Sequence, residues 1–291
     1  MKNALSRRNA LKTMASSAAV FGAAASLTGP LTAAEPAKLK GNIRHSVSAW
    51  CYGGISLDDL CAASKAMGLE SVELLGPTEW PTVKKHGLIC AMCNGPDQIG
   101  YGWNRIDHHD KLVTGFEQAI PQVAEFGFPN IITFSGNRGG LSDEEGIKNC
   151  VTGLKRIVGL AEKQKVNVLL ELLNSKVDHK GYMADHSAWG IEVVKQVGSE
   201  RLKLLFDIYH MQIMEGDIVR SIQDNHQYFG HYHTGGVPGR NEIDDTQELH
   251  YPAVMRAIVA SGYKGWVGQE FVPKQKDKLA SLRQAIAICD V

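Results

Sequence analysis

The sequence lacks the charge pattern and the long apolar runs that mark several classes of protein. Its 31 lysines and arginines balance 31 aspartates and glutamates, so no basic surface for nucleic acid or for an anionic membrane is indicated. No glycine-rich phosphate loop is evident, which favours an unphosphorylated ligand. Beyond residue 40 there is no low-complexity tract, internal repeat or interdomain linker. What remains is a globular chain with enough residues for one large core.

Cysteine is scarce, with 6 residues in a chain of 291. Cys90 and Cys93 have the spacing of a redox pair, but residues three apart in a strand point to opposite faces. There is no second such pair to complete a zinc site. Cys51, like these two, lies in or beside an apolar run, where cysteine is an ordinary small core residue. The sequence therefore predicts no disulfide framework.

The first 34 residues have the composition of an export signal. Paired arginines, Arg7 and Arg8, precede an alanine-rich apolar run over residues 13–27, and small residues end the segment. The pattern resembles the twin-arginine type, except that Ala10 replaces the bulky residue usual at that position. It predicts a periplasmic or exported protein that uses the twin-arginine machinery and has no membrane attachment after cleavage. An uncleaved N-terminus is the alternative.

From residue 43 the sequence alternates between short β-branched runs and longer stretches with the helical period, the pattern of an α/β protein with a parallel sheet. Eight runs fit strands, which is the number that a closed barrel needs. We therefore expect residues 35–291 to form a single (β/α)8 TIM barrel. The expected strands are Arg44–Ala49, Ser71–Leu75, Leu88–Asn94, Asn130–Phe134, Asn167–Leu172, Leu202–Asp207, Tyr228–Tyr232 and Gly265–Glu270.

Capping residues place the helices between these runs. Ser56 is a good N-cap for a helix that ends at Gly68, and Ser142 begins a capping box before a long helix that ends near Lys165. The longest irregular stretch, residues 95–111, has the length of a lid or binding loop, and its aromatic residues either close over a ligand or pack against the barrel rim.

Four strand-like runs in the second half each end in a carboxylate or an imidazole. The end residues Glu171, Asp207, His233 and Glu270 are 36, 26 and 37 residues apart, about the length of one βα repeat. In a parallel barrel they would gather at one end, where three carboxylates and one imidazole suit a hard divalent cation such as Mg²⁺, Mn²⁺ or Co²⁺. One such residue alone could simply make a local hydrogen bond. Four in register indicate an enzyme with one metal ion.

Two further polar residues stand near these strand ends. Glu73 ends a predicted strand and is a candidate substrate contact. His231 lies two residues before His233 and points to the same face. A hydrogen-bonded neighbour of His233 is the favoured interpretation of His231, and a second ligand is the alternative.

Three segments of the second half resemble the hydroxypyruvate isomerase family. They are Phe206–Asp217 (FDIYHMQIMEGD), Val237–Glu242 (VPGRNE) and Gly262–Pro273 (GYKGWVGQEFVP). That family belongs to the wider xylose isomerase-like barrels, alongside the ketose 3-epimerases, and the resemblance extends over residues 43–291.

The resemblance implies a role for each matched residue. Glu171 and Glu270 match the two glutamates that both bind the metal and exchange the substrate proton, and Asp207 matches a further ligand. His210 matches an imidazole beside the substrate oxygen, and Arg240 matches a substrate contact.

His233 takes the fourth ligand position, where the narrow hydroxypyruvate isomerases often have glutamine and the ketose epimerases have histidine. This departure leaves the fold and the metal as implied but opens the choice of substrate.

The chemistry of the four strand-end residues agrees with that family. Moving a carbonyl group by one carbon requires removal of a proton from a weak carbon acid, which a divalent cation and a carboxylate base both assist. We expect a metal-dependent isomerase of small hydroxy-carbonyl compounds, whose partner is a small carbohydrate-like molecule. The alternatives are a ketose 3-epimerase, an inositol-type epimerase or dehydratase, and a non-catalytic exported sugar-binding barrel. The sequence leaves open whether the chain forms a homo-oligomer.

Overall fold

The short apolar runs of the sequence form a parallel sheet in the computed structural model, which describes residues 38–291. The predicted export signal lies outside the described residues and stays a prediction. The sheet order is β2-β1-β7-β6-β5-β4-β3, with parallel pairing between neighbours. The strands are β1 (Arg44–Ser48), β2 (Ser71–Glu73), β3 (Asn130–Thr133), β4 (Asn167–Glu171), β5 (Leu202–Asp207), β6 (Phe229–Thr234) and β7 (Trp266–Gln269).

The connections between the strands carry the helices, as expected for βα repeats. The α-helices are α1 (Leu57–Ala66), α2 (Trp80–Lys85), α3 (His109–Glu125), α4 (Asp143–Leu154), α5 (Val158–Gln164), α6 (Ser187–Val197), α7 (Ile208–Met214), α8 (Ile218–Asn225), α9 (Tyr251–Ala260) and α10 (Lys278–Cys289). Short 3₁₀ turns cover Ala49–Tyr52, Ile106–His108 and His226–Tyr228. Among the described helices none has both the length and the apolar character needed to cross a membrane.

The predicted strand at Leu88–Asn94 is irregular in the structure. It lies between β2 and β3 and meets both through isolated parallel bridges, which close the barrel. Side chains replace ladder hydrogen bonds at Ala91, because its N–H donates to the Ser71 hydroxyl and its carbonyl accepts from the Asn130 amide. The predicted single barrel is therefore confirmed, with seven regular strands in residues 38–291 and one interrupted segment.

The capping residues predict where both helices begin, and α1 ends just before Gly68 as predicted, but the end of the second helix is wrong. Ser56 caps α1 by accepting a hydrogen bond from the Asp59 N–H, and Ser142 forms the capping box of α4. The long helix expected to reach Lys165 breaks into α4 and α5. At the break the backbone tightens into i→i+3 turns, and both Leu154 and Ile157 are fully buried there.

The parallel sheet determines where the predicted site forms. Because parallel strands run the same way, their carboxyl ends lie at one end of the barrel. The register between β5 and β6 sets Asp207 directly beside His233. Glu171 is the last residue of β4, and Glu270 follows β7 immediately.

Candidate metal centre and active site

The four residues predicted as metal ligands come together at the carboxyl end of the barrel. Glu171, Asp207, His233 and Glu270 are all buried, and each offers one ligand atom within 4.8 Å of the others. They lie in or directly after the last residues of four consecutive strands of the sheet, β4 to β7. This convergence is the one that the strand-end spacing predicts. The roles of the four residues stay a prediction.

His233 shows how a cation would fit. Its Nε2 lies 2.8 Å from Glu73 Oε1, and its Nδ1 lies 2.6 Å from Glu270 Oε2 and 3.4 Å from Glu171 Oε1. The Glu270 contact lacks hydrogen-bond geometry, and Nδ1 has no hydrogen-bond partner within residues 38–291. A buried nitrogen without a partner, facing three carboxylates, matches the donor set of a divalent-cation site.

Electrostatics at His233 also bear on cation binding. Burial lowers the pKa of the His233 imidazole, but the surrounding carboxylates, Glu270 foremost, raise this pKa well above its usual value. A cation that binds Nδ1 must therefore displace a proton from that nitrogen, so metal affinity depends on pH.

The two glutamates occupy different electrostatic environments. Burial, together with the charges of Glu270 and Asp207, raises the pKa of Glu171 to about 7, although His233 opposes the shift. Burial also acts to raise the pKa of Glu270, but Arg240 and His233 outweigh it and hold that pKa well below its usual range. One carboxyl group is thus poised to hold a proton and the other to remain ionised.

Arg240 and His210, the two predicted substrate contacts, lie against this cluster. Arg240 Nη2 donates to Asp207 Oδ2 at 2.7 Å and to Glu270, and Nη1 lies 2.6 Å from His210 Nε2. The Arg240 backbone has a φ of 56°, an uncommon conformation for a residue with a side chain. Burial and the Arg240 charge lower the pKa of His210 well below its usual value, so the imidazole is neutral.

The cluster opens into a cavity of about 630 Å³. Its walls include the predicted residues Glu171, His210, Arg240 and Glu270. The other lining residues are Trp50, Leu74, Asn94, Gly95, Asp97, Ile99, Ile132, Phe134, Leu173, Asp178 and His179. The volume lies within the range of about 300–1,000 Å³ that is typical of small-molecule sites.

Two residues that the sequence did not single out, one on the cavity wall and one beneath it, hold the site in place. Trp50, which is 53% exposed, donates from Nε1 to Glu270 Oε1 at 2.7 Å. Asn174, beneath the wall, places its Nδ2 2.6 Å from His210 Nδ1, while its Oδ1 accepts from two backbone N–H groups of the following loop. Nothing in their local sequence signals these contacts, because each partner lies on a different βα repeat.

The contacts of three further residues bear on weaker predictions. Glu73, predicted as a substrate contact, is absent from the cavity wall and instead accepts hydrogen bonds from His231 and His233. His231 hydrogen-bonds Glu73 rather than His233, and its alternative role as a ligand stays a prediction. Trp103 packs under the rim, where its Nε1 donates to Thr133 Oγ1 at 2.6 Å, so it does not close over the cavity.

Asp97 is a buried carboxyl group on the cavity wall. Its Oδ2 accepts from Thr133 Oγ1 at 2.5 Å and from the Phe134 N–H at 2.8 Å, whereas Oδ1 has no partner among the described residues. Burial raises the pKa of Asp97 to about 7 even though both hydrogen bonds lower it.

We expect Asp97 to make stability depend on pH. Its folded pKa of about 7 exceeds the reference value of 3.8, so between these values the folded protein keeps a proton that the unfolded chain loses. The free energy of unfolding should therefore fall as pH rises through that window, by at most about 4 kcal/mol, and level off above it. Asp97→Asn removes this titration. Urea unfolding at about pH 4 and pH 8 should show that the free energy of unfolding of the variant increases relative to that of the parent at the higher pH. An equal difference between variant and parent at both pH values would contradict the assignment.

The comparisons with known proteins agree with this geometry. A family profile described as xylose isomerase-like TIM barrel matches residues 61–289. A 2-oxo-tetronate isomerase of Cupriavidus necator is 39% identical over 228 residues, which are 74% of this chain and 87% of the relative. The hydroxypyruvate isomerase of Escherichia coli is 30% identical over 135 residues, 46% of this chain and 52% of the relative.

Among solved structures, an AP endonuclease of family 2 from Brucella melitensis superposes with a TM-score of 0.73. It is 22% identical, and the match covers 82% of this chain and 97% of that chain, so it supports the fold alone. The relatives above are isomerases by name, and they confirm the prediction of a hydroxypyruvate isomerase-like enzyme. Because the family profile matches most of the chain, this chain belongs to the xylose isomerase-like TIM barrel family.

Proposed function

We propose that the chain is a metal-dependent isomerase of a small hydroxy-carbonyl compound, in which a carbonyl group moves by one carbon as a proton is removed and returned. One observation carries the proposal: three buried carboxylates and one imidazole converge within 4.8 Å of one another beside a cavity of about 630 Å³. The relatives named 2-oxo-tetronate isomerase and hydroxypyruvate isomerase support the reaction type.

The four converging residues would hold the cation in this proposal. A bound divalent ion supplies Lewis-acid stabilisation of the negative charge that develops on the substrate oxygens. Glu171 and Glu270 belong to ends of strands that are separated in the sheet by β5 and β6, so the two carboxylates reach the cluster from different sides. One removes the substrate proton and the other returns it, as general base and general acid.

Arg240 and His210 would hold the substrate in position. Arg240 is the cationic side chain on the described cavity wall, and its guanidinium already fixes Asp207 and Glu270 by hydrogen bonds. His210, kept neutral, lies beside Arg240 and can hydrogen-bond a substrate hydroxyl or carbonyl oxygen. Together they orient the reacting carbons toward the two glutamates.

A ketose 3-epimerase is the second candidate function. The cavity of about 630 Å³ has room for a substrate longer than three carbons, and histidine stands at position 233, as in the ketose epimerases that the sequence resembles. The same residues would serve, because inverting a carbon next to a carbonyl also needs proton removal and return. A binding protein without turnover is less favoured, since binding alone does not require two glutamates at the cation.

A substrate panel tests the proposal. Metal-stripped protein, alone and reloaded with Mg²⁺, Mn²⁺ or Co²⁺, is incubated with hydroxypyruvate, 2-oxo-tetronate and several ketohexoses, and the products are identified by NMR. We expect metal-dependent conversion of a short hydroxy-carbonyl acid to its aldehyde or ketone isomer. Conversion of ketohexoses alone to their epimers would support the second candidate instead. No conversion of any panel member by fully loaded protein would contradict both.

A further inference from the structure

Glu73 is a buried carboxylate that lies outside the cavity and contacts the cluster from behind. Its Oε1 accepts hydrogen bonds from His231 Nε2 at 3.0 Å and from His233 Nε2 at 2.8 Å. Its Oε2 accepts from Ser46 Oγ at 2.5 Å. Both carboxylate oxygens are therefore engaged, and Glu73 is fully buried. It is not among the described residues that line the cavity.

The contact between Glu73 and His233 crosses the barrel interior. Glu73 ends β2, His233 belongs to β6, and these strands are not neighbours, because β1 and β7 lie between them. Gly268 of β7 leaves the space for this approach. A Cβ atom at Gly268 would lie 2.2 Å from Glu73 Oε1 and 2.9 Å from His233 Cδ2. The absence of a side chain at Gly268 therefore allows the Glu73 carboxylate to reach the His233 imidazole.

The consequence for His233 follows from the two faces of its ring. With Nε2 held by Glu73 as a hydrogen-bond donor, Nδ1 is turned toward Glu171, Asp207 and Glu270. A carboxylate behind an imidazole fixes both the ring orientation and the nitrogen that is free to bind a metal, and it makes that nitrogen more basic.

We propose that Glu73 is a positioning residue of the metal centre, which holds His233 with Nδ1 directed into the cluster and so raises the affinity for the cation without touching cation or substrate. This inference rests on the proposed metal site. It extends that site by a residue from the opposite part of the sheet.

An alternative interpretation is that Glu73, His231 and His233 bind a cation themselves, and the test must distinguish it. Glu73, His231 and His233 also have ligand atoms within 4.8 Å of one another, so they have the spacing of a separate cation site. The hydrogen bonds described above account for this closeness without an ion. The two interpretations differ in how many ions the chain binds.

The test is Mn²⁺ titration of metal-stripped full-length protein by calorimetry, comparing the parent with Glu73→Gln. Glutamine keeps the shape, and its amide oxygen can still accept from both imidazoles as Glu73 Oε1 does, but it removes the negative charge that strengthens these hydrogen bonds. We expect one ion per parent chain and an affinity about 10- to 100-fold lower in the variant, as is typical when the partner behind a metal-bound histidine is lost. Asp185→Asn is the matched control, because Asp185 is a buried carboxyl that contacts another histidine, His186, and lies outside both the cluster and the cavity wall.

A readout other than affinity separates positioning from general loss of structure. In ¹H–¹⁵N spectra of the fully Mg²⁺-loaded protein, the His233 Nε2–H of the parent should show the downfield proton shift of a hydrogen bond to a carboxylate, and Glu73→Gln should lose this shift. Circular dichroism checks that both variants are folded.

Gly268→Ala gives a second route to the same contact. The added methyl group should push Glu73 away from His233 and weaken Mn²⁺ binding without removing any polar group. Gly159→Ala, at a helical glycine with open space around it, is its control and should bind as the parent does.

The outcomes are distinct. A parent that binds no Mn²⁺ overturns the metal centre, and this inference falls with it. A parent that binds one ion with unchanged affinity in Glu73→Gln and Gly268→Ala overturns the positioning role alone. Two ions per parent chain and one in Glu73→Gln would assign Glu73 to a second cation site instead. One ion, bound more weakly in both variants and equally in both controls, supports the proposal.

Discussion

Replacing Glu171 or Glu270 with glutamine is expected to lower kcat by about 100- to 10,000-fold, the usual contribution of general acid–base catalysis. Glutamine keeps the size of the side chain and one oxygen for the cation but carries no exchangeable acidic proton. Since the proton moves only in the transition state, the loss should fall on kcat, with KM changed much less. Steady-state kinetics on the best substrate of the panel measures both.

Metal occupancy is the necessary control for these two variants, because both glutamates are also proposed ligands. The kinetics are therefore measured at saturating metal, with ions per chain determined in the same samples. Glu79→Gln is the matched control, since Glu79 accepts a hydrogen bond from the Gly76 N–H outside the cluster and should retain the parent kcat. A fully loaded Glu171→Gln or Glu270→Gln enzyme with the parent kcat would show that the replaced residue is at most a ligand.

The second large effect is loss of the cation from variants of Asp207 and His233. Asp207 also caps α7 by accepting from the His210 N–H, so Asp207→Asn is the better variant because asparagine preserves the cap. We expect Asp207→Asn and His233→Ala to weaken metal binding by more than the roughly 10- to 100-fold that loss of an outer partner costs. Native mass spectrometry should show about one ion per parent chain and little in either variant.

The pH dependence of binding gives this prediction an internal check. The carboxylates around His233 raise its pKa well above the usual value, and the cation must displace the proton at Nδ1. Parent affinity should therefore increase with pH. His233→Ala should lose much of this increase. Full occupancy of both variants at the metal concentration that just saturates the parent would contradict the ligand assignment.

The sequence predicts the ligand cluster because the relevant rule is local. A carboxylate or imidazole that follows an apolar run is visible in the chain, and parallel strands then carry each one to the same end of the barrel. Glu171, Asp207, His233 and Glu270 need no knowledge of their contacts to be found. The resemblance to hydroxypyruvate isomerases adds His210 and Arg240, both of which lie on the cavity wall.

The contacts that support the cluster could not be found in this way, although the strand-end rule does single out Glu73. Glu73 reaches His231 and His233 across 158 and 160 residues of sequence, and nothing near Glu73 signals that its partner lies across the barrel. Likewise, the role of Asn174 depends on its contact with His210, which lies on another βα repeat. Such contacts are set by how the closed sheet brings separate strands together.

Irregular backbone limits the prediction of the fold. The segment Leu88–Asn94 has the composition of a strand, yet Ser71 and Asn130 side chains bind the backbone at Ala91 and interrupt the ladder. Likewise, helical periodicity continues through residues 155–157, where the chain turns between α4 and α5. In both places contacts between elements override a correct local preference.

The most direct test of the central claim is hydrogen exchange between substrate and solvent. The parent protein, stripped of metal and then reloaded, is incubated in deuterium oxide with the best substrate of the panel, and deuterium on the carbon next to the carbonyl is followed by NMR. We predict that the reloaded parent incorporates deuterium, either at a rate at least comparable with turnover or into every product molecule that it forms. The stripped protein should incorporate none. Loaded Glu171→Gln and Glu270→Gln should incorporate deuterium about 100-fold more slowly or worse. Equal incorporation by stripped and reloaded protein, or by parent and both glutamine variants, would contradict the account.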